Sequence, residues 1–588
     1  MDKETGNAFD LDLFNRLLRR TRPYRLTFYG VAIAAILLSA FAVMTPIIVQ
    51  QIIDDAIQQE NSQRLLYLTL ALLGVLVGQV TSQLGFDYYA NWLGESVIRD
   101  IRIDLFRHML AFRMKYFDTS SLGVLVTRAV ADMQRIGEIF SQGFFQIVAD
   151  LLKMIVAAGV MVYMNWKLAL IVFVLLPIIV YATRQFQKAM KVAFTEVRAQ
   201  VANLNSFVQE RITGMKIVQL FTREKIESDK FRNINEKHQN AWLKTVWYNS
   251  IFFPIAEIVT SIAVGLIVWY GGLLNVSNLA REEFGTIFAF ILLIDMLFRP
   301  LRQIADKFNT LQMGMVAANR VFRILDTDSN IQDVGTIDKA DVRGHIKFTD
   351  VRFGYLQNEQ VLRGISFEVK AGETIAIVGA TGAGKSTIIN LLGRFYEIDS
   401  GCIEVDGIDI KDFKLSSLRA HIAVVLQDVF LFADSIANNI SLKDPTIDQK
   451  TIEAAAKQIL VDEFITSLPG GYGYNVKERG SMLSSGQRQL IAFLRAYVSN
   501  PSILVLDEAT SSVDTYTEQL IQRATEKITE GRTSIIIAHR LATIKKADRI
   551  IVMDAGQIVE TGTHKDLLKQ DGYYRKLYEA QFLAEEVA

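Results

Sequence analysis

Nine consecutive residues carry the clearest chemistry in the chain: Gly379-Ala380-Thr381-Gly382-Ala383-Gly384-Lys385-Ser386-Thr387. The strand-like run from Thr374 to Val378 opens directly onto them, and a helical run from Ile388 to Phe395 follows. This is the strand, GxxxxGK[ST] loop and helix order that a phosphate cradle requires. Glycines let backbone N–H groups turn into one anion-sized nest, and the helix start adds its positive end. Lys385 supplies a point charge for the β- and γ-phosphates of a nucleotide, and Ser386 offers a hydroxyl to Mg²⁺. A second element, Ile503-Leu504-Val505-Leu506-Asp507-Glu508, reads as a buried strand delivering two acids at its tip. Asp507 suits a water-mediated hold on Mg²⁺, and Glu508 suits polarising an attacking water. Apolar runs ending in two acids are common, so this element gains its weight from the loop about 120 residues upstream.

The elements that must position these groups belong to a divided chain. Its 588 residues have no formal net charge. Residues 1–325 nevertheless hold 34 Lys+Arg against 26 Asp+Glu, or +8, while residues 326–588 hold 29 against 37, or −8. The apolar excess also lies in the first part. The chain therefore reads as residues 1–325, a polar non-periodic linker at 326–343, and a second domain at 344–588. A hydrophobic content of 50% with 21% charged residues excludes a disordered, collagen-like or coiled-coil chain. One cysteine, Cys402, excludes a disulfide scaffold.

A bilayer core of ~30 Å is crossed by about 20 apolar residues in a helix. Leu26 to Ile53 carries no charge over 28 residues, and Leu65 to Phe86 none over 22. Both are too long and too uniformly apolar for soluble helices, and the first is too long for a signal peptide. Ile139 to Met164 contains Asp150 and Lys153. Leu168 to Thr183 is charge-free. Val246 to Leu274 contains Glu257, and Phe284 to Phe298 contains Asp295. These make six expected spans. Lys and Arg concentrate before the first span (six), between spans two and three (seven) and between spans four and five (twelve). The other connections hold only Arg64, Lys167 and Arg281. Positive charge favours the cytoplasmic side, so both termini and the two long connections are expected there.

Residues 9–20 place Phe9, Leu11, Phe14, Leu17 and Leu18 on one helical face, as an interfacial helix would. The long connections show helical periodicity, so spans two to five are expected to continue beyond the membrane. Breaks are expected near Phe117–Gly123 and Thr213–Lys216. The second half is the candidate to meet those tips. Intramembrane charge marks function by default. Asp150 with Lys153, and Asp295 with Arg299, have the spacing to pair on their own helices. Glu257 lacks a near partner in sequence and is read as facing a cavity. Phe144, Phe145, Phe252, Phe253, Phe288 and Phe290 could line an apolar pocket or face lipid.

Leu483-Ser484-Ser485-Gly486-Gln487 lies 21 residues before Asp507 and looks like the signature LSGGQ. With the loop and the acidic strand, it makes nearly the whole chain resemble the ATP-binding cassette (ABC) transporters. The closest layout is that of exporters fusing six spans and one cassette in a half-transporter, as in bacterial multidrug and lipid exporters. The resemblance implies a membrane all-α domain, six transmembrane helices with long cytoplasmic extensions, followed by an α/β P-loop ATPase domain. It implies ATP and Mg²⁺, a second half-transporter of the same or a related unlike chain, a lipid bilayer, a small hydrophobic substrate and no nucleic acid.

The resemblance also assigns roles. Tyr355 matches the aromatic residue that stacks on adenine, and Gln427 matches the glutamine that reaches Mg²⁺. Ser484, Gly486 and Gln487 belong to the signature that meets the γ-phosphate from the opposite cassette. Asp514 matches the loop linking two sites, His539 the histidine on the γ-phosphate, and Glu478-Arg479-Gly480 the exporter loop at the cytoplasmic tips. Two departures stand out: Ser485 where the family usually has Gly, and Ser511-Ser512-Val513-Asp514 where SALD is common. Ser lacks glycine's freedom at positive φ, so altered contact strength is expected. Such departures often mark heterodimeric exporters, in which this chain's Glu508 and His539 would supply the competent hydrolytic half. The expected function is ATP-driven export of drugs or lipids across the cytoplasmic membrane. The alternative is an ATP-gated regulator or channel. A soluble cassette ATPase is excluded by the spans, and import or leader-peptide cleavage is not expected.

Overall fold

The computed structural model describes residues 10–276, 284–329, 331, 333–339, 341–356, 359–507, 515–538 and 540–581. Two compact units emerge. The first takes the chain through Leu110 together with Ser121–Asp328, and the second takes Ala111–Ser120 together with the chain from Ser329.

In the first unit, α1 (Leu11–Arg19) is capped by Asp10, whose carboxylate accepts the N–H groups of Asp12 and Leu13. Phe14 and Leu17 are buried, while Leu11 faces out. Arg16 of α1 makes a bidentate pair with Asp326 at 2.7 and 2.6 Å, and Arg20 reaches Asp104 at 2.7 Å. Phe9 lies outside the described residues. The first two spans are α2 (Arg25–Gln51) and α3 (Ser62–Leu110), and α3 gives way to α4 (Met114–Thr119) of the second unit. The third span is assembled from α5 (Leu122–Thr127), α6 (Met133–Glu138) and α7 (Phe145–Met164), joined by wide π-helical turns with i→i+5 hydrogen bonding at Arg128–Asp132 and Ile139–Phe144. A third such turn ends the first span at Ile52–Ile57. These single-turn insertions have no signature in hydropathy, and the sequence does not announce them. The remaining spans are α8 (Trp166–Thr213), α10 (Glu224–Val276) and α11 (Phe284–Leu325), with the short α9 (Met215–Leu220) between the first two.

Among the described residues, six helical stretches are thus long and apolar enough to cross a membrane. At ~1.5 Å per residue, the 53 residues of α10 extend about 80 Å, far beyond a bilayer core. The chain breaks at Ser120–Ser121 and at Gly214, inside both expected windows, and turns once more at 111–113.

Neither Asp150 nor Asp295 pairs with the neighbour that spacing suggested, and Asp150 and Glu257 reach another helix. Asp150 on α7 accepts from Lys307 on α11, not from Lys153. Asp295 pairs with Arg302, two turns along α11, rather than Arg299, and Arg302 also reaches Glu257 on α10. For Asp150 and Glu257, helix packing brings a long basic side chain from a distant position within reach. Of the six phenylalanines, Phe145, Phe252 and Phe290 are buried, whereas Phe253 and Phe288 are exposed.

The second unit opens with a chain segment that is irregular but anchored. Asp406 accepts from Lys339 Nζ and from the N–H groups of Arg343, Gly344 and His345. The N–H of Arg113, just before α4, donates to the Ser329 carbonyl at 2.8 Å. A four-stranded antiparallel sheet combines β1 (Ile346–Phe353), β2 (Leu362–Val369), β4 (Ser400–Val405) and β5 (Ile408–Asp409) in the order β2-β1-β4-β5. A six-stranded sheet takes β3 (Thr374–Gly379), β6 (Ile422–Val425), β7 (Ile503–Asp507), β8 (Thr533–Ile537), β9 (Arg549–Asp554) and β10 (Gln557–Gly562) in the order β10-β9-β3-β8-β7-β6. The five neighbours β9, β3, β8, β7 and β6 run parallel, β10 closes the edge antiparallel to β9, and both faces of the sheet are covered.

Alternation along these strands divides two cores. Ile375, Ile377, Val505, Ile535 and Ile537 pack with α12 (Lys385–Leu392) and the antiparallel sheet. Ala376, Val378, Leu504, Leu506 and Ile536 face a helical layer instead. That layer includes α14 (Ile436–Ser441), α15 (Gln449–Gln458), α16 (Asp462–Ser467), α17 (Ser485–Val498) and α18 (Thr515–Thr529); α13 (Leu415–Ala420) precedes β6. Three helices complete the unit: α19 (Leu541–Lys546), α20 (His564–Lys569) and α21 (Tyr573–Gln581).

Candidate nucleotide site

At the carboxyl end of β3 the chain makes the phosphate loop, in the crevice where open parallel sheets hold their ligands. Gly379 has φ +154°, and a Cβ there would stand 2.2 Å from the Met553 carbonyl oxygen. Gly384 has φ +96° and forms the left-handed N-cap of α12, so the loop closes tightly enough to aim its N–H groups inward. Thr381 and Gly382 are exposed at the mouth, while Ala383 and Thr387 are buried behind it. Ala380 begins the turn and accepts the N–H of Ala383 at 3.1 Å.

Lys385 is 7% exposed. Its Nζ donates to the carbonyls of Gly379 and Ala380 at 2.8 and 2.9 Å, folding the ammonium over its own loop. Burial pushes its pKa below the ordinary lysine value, and the nearby Asp507 carboxylate opposes that shift. Ser386 Oγ donates to Asp507 Oδ2 at 3.3 Å, so two of the three expected metal-site residues meet. The third, Gln427, is exposed two residues beyond Val425, which pairs with Leu506 beside Asp507. A hydroxyl, a carboxylate and an amide oxygen at adjoining strand ends are hard donors that fit Mg²⁺.

Tyr355 stands beside this loop. Its hydroxyl donates to Thr387 Oγ1 at 3.3 Å and accepts from Asn390 Nδ2 at 3.1 Å. Phe353 and Tyr396 meet its ring edge-on, at centroid distances of 4.9 and 5.1 Å. Asn390 and Tyr396 were not singled out in the sequence. Asn390 sits five residues after Lys385, on the helical face turned to Tyr355, and that spacing was the available signal.

The signature segment lies on the other core. Ser484 caps α17 by accepting the Gln487 N–H at 3.2 Å, and Gln487 Oε1 accepts the Ser484 N–H at 2.9 Å. Gln487 is thereby engaged in its own helix start. Ser485 is exposed at the first helical position and Gly486 is buried. Ser485 is not among the residues with positive φ, so the backbone there did not need glycine. The conformational reason for expecting altered contact strength therefore falls away, and only the added hydroxyl remains. Ahead of the signature, Lys477, Arg479 and Gly480 all have positive φ, at 60°, 53° and 67°. Glu508, Asp514 and His539 lie outside the described residues.

Phosphate loop and signature helix therefore occupy opposite faces of one six-stranded sheet: α12 packs with Ile377 and Ile537, α17 with Val378 and Leu506. The arrangement binds phosphate at one place and presents a helix start at another.

Comparison with known proteins gives the same division. The ABC transporter transmembrane region matches residues 28–301, and the ABC transporter model matches residues 362–511. An uncharacterized ABC transporter ATP-binding protein, YknV of Bacillus subtilis (strain 168), is 36% identical over 570 residues, covering 96% of this chain and 94% of that one. An ATP-dependent lipid A-core flippase of Syntrophus aciditrophicus (strain SB) is 34% identical over 582 residues, covering 98% and 96%. A solved bacterial Atm1-family ABC exporter with ATP bound matches with a TM-score of 0.74 at 27% identity, covering 95% of this chain and 98% of that one. Spans and cassette in this order, with relatives matched along almost their whole length, make this chain a member of the ABC transporter family, an ATP-hydrolysing multi-pass membrane transporter with exporter architecture.

Proposed function

We propose that this chain is one half of an ATP-driven exporter of hydrophobic compounds, drugs or lipids, working as a dimer by alternating access in the cytoplasmic membrane. Residues 1–325 form the membrane domain, 326–343 the connection and 344–588 the cytoplasmic ATPase. The observation that carries the dimer is the separation of α12 and α17 on opposite faces of the sheet. One cassette cannot bring its own phosphate loop and its own signature to one nucleotide, so each ATP needs two cassettes.

Tyr355 stacks on the adenine. The loop N–H groups and Lys385 hold the β- and γ-phosphates, with Lys385 Nζ turning from the Gly379 and Ala380 carbonyls to do so. Ser386, Asp507 and Gln427 would hold Mg²⁺, which when bound neutralises charge across the two phosphates. Glu508 accepts a proton from the attacking water as its oxygen adds to the γ-phosphorus and the bond to the ADP oxygen breaks. His539 and the opposing Ser484 and Gly486 contact the γ-phosphate, and Asp514 links the two sites. Contacts made only while the γ-phosphate is present give closed and open cassettes different affinities, and a ligand can drive a switch only through such a difference.

The relatives named as flippases support export over ATP-gated regulation. Reconstituted vesicles fed Mg-ATP, with any companion subunit present, should accumulate a hydrophobic solute. Glu508→Gln should keep ATP binding, slow turnover at least ~10²-fold and prolong a closed dimer that cross-linking captures. Normal turnover in that variant removes Glu508 from its role. Vesicles that move no solute overturn the export reading.

A further inference from the structure

The first helix of the chain lies across the ends of three spans. Phe14 of α1 is buried, with its ring 5.2 Å from that of Phe144 in the third span. Arg20, which ends α1, reaches Asp104 on α3 at 2.7 Å. Arg16 holds Asp326, the residue after α11, through Nη1 and Nη2 at 2.7 and 2.6 Å. The same guanidinium stacks 4.2 Å from the ring centroid of Phe322, on the last turn of α11. One short helix thereby grips the second, third and sixth spans at once.

Two of these grips fall where the chain passes to the second unit. It leaves the first unit after Leu110, returns at Ser121 and leaves again after Asp328. Asp104 stands within two turns of the first exit, and Asp326 just before the last. The two exits run side by side. His108 Nε2 lies 3.0 Å from the Thr327 carbonyl oxygen in the first unit, and the Arg113 N–H donates to the Ser329 carbonyl at 2.8 Å in the second. Covalently, motion of the ATPase unit enters the membrane unit through these exits and the return at Ser121. A free α11 end would absorb such motion by bending alone. A bidentate arginine fixes direction as well as distance. Strength is not what the pair supplies: its side chains are 41% and 55% exposed, and exposed ion pairs add little to stability.

We propose that α1 is a coupling strap: through Arg16–Asp326 and Arg20–Asp104 it makes the linker ends of α3 and α11 move as one body, so that ATPase motion reaching α11 carries α3 with it. Arg16 is then a positioning residue that touches neither nucleotide nor solute. The inference rests on the export reading and adds how the two units are coupled.

Two readouts test it on the assembled full-length transporter. The first needs no solute. Spin labels are attached at Arg102→Cys on α3 and Asn319→Cys on α11, both exposed positions, in one chain of the dimer, with Cys402→Ser removing the native thiol. The distance between labels should be the same without nucleotide and with Mg-ATP plus vanadate, and Arg16→Gln should broaden it. A distance that changes with nucleotide in the wild type, or an unchanged distribution in Arg16→Gln, overturns the strap. The second readout is solute moved per ATP hydrolysed in vesicles, with Hoechst 33342 and a fluorescent phosphatidylethanolamine as probes. Arg16→Gln and Asp326→Asn should each lower that ratio about fivefold, with ATP turnover and thermal unfolding near wild type. The double variant should be no worse than either single, and the exchanged pair, Arg16→Asp with Asp326→Arg, should recover most of the ratio. A wild-type ratio in either single, losses that multiply in the double, or no recovery on exchange overturns the proposal. Wild-type vesicles that move neither probe count against the export reading instead, and the label distances still decide the strap.

Discussion

In the ATPase unit, Ile375, Ile377, Val505 and Ile535 are buried, and the phosphate-loop side chains gather where strands end. In the membrane unit, Leu26, Tyr163 and Trp269 turn outward, while Asp150 and Lys307 turn toward each other between helices. Each unit buries the groups its surroundings would disfavour, and the surroundings differ. In water the sheet hides apolar residues and displays polar ones; in a bilayer the helices display apolar residues and pair their charges with one another. The comparison also separates two ways of encoding function. The phosphate loop is local, nine residues long, and depends on backbone conformation. The charge contacts of the membrane unit join positions 157 and 45 residues apart.

The largest effect should come from the local device. Lys385→Ala removes the point charge facing the phosphates, and ATP turnover by the purified transporter should fall ~10²-fold or more, with transport lost. Retained turnover would show that the loop's N–H groups suffice without the ammonium. Next comes the distributed device. Asp150→Asn leaves Lys307 half-satisfied in a buried place, and thermal unfolding should report a loss of about 3 kcal/mol. Replacing both, as Asp150→Leu with Lys307→Met, should recover most of it. If the double variant is no more stable than the single, the pair is not an isolated unit.

Asp406 offers a smaller, pH-dependent contrast within the ATPase unit. Burial acts to raise its pKa, but the N–H groups of Arg343 and His345 and the Lys339 ammonium outweigh that and hold it below the ordinary 3.8. A carboxyl with a depressed folded value stabilises above its unfolded pKa and loses that contribution as pH falls through the folded one. Asp406→Asn should therefore destabilise by about 1–2 kcal/mol at neutral pH, and the gap to wild type should close below about pH 4. A gap independent of pH would mean that the anchor does not depend on charge. The smallest effect is expected at Ser485. Its backbone φ is not positive, so Ser485→Gly relieves no strain, and turnover should stay within about twofold. A larger rise would make the hydroxyl an obstacle to signature contact.

Much of this molecule was legible in its residues. Long apolar runs with few or no charges gave the spans because a bilayer disfavours ions over a fixed thickness, and the glycine spacing gave the phosphate loop because that backbone folds readily into an anion nest. Periodicity extended the helices beyond the apolar runs, and glycine-containing turn segments marked the windows in which the breaks at Ser120–Ser121 and Gly214 fall. The wide turns at Ile52–Ile57, Arg128–Asp132 and Ile139–Phe144 were not legible, since an inserted residue leaves composition and hydropathy unchanged. Nor were the partners of Asp150 and Asp295. Sequence neighbours suggested Lys153 and Arg299, but packing of α7 against α11 brought Lys307 to Asp150, and Arg302, two turns along α11 and shared with Glu257 of α10, took Asp295. Local chemistry follows from short-range backbone geometry and is already written in the chain. Which charge meets which, and which face of a sheet carries which motif, follow from the approach of distant segments, and only the packed structure decides them.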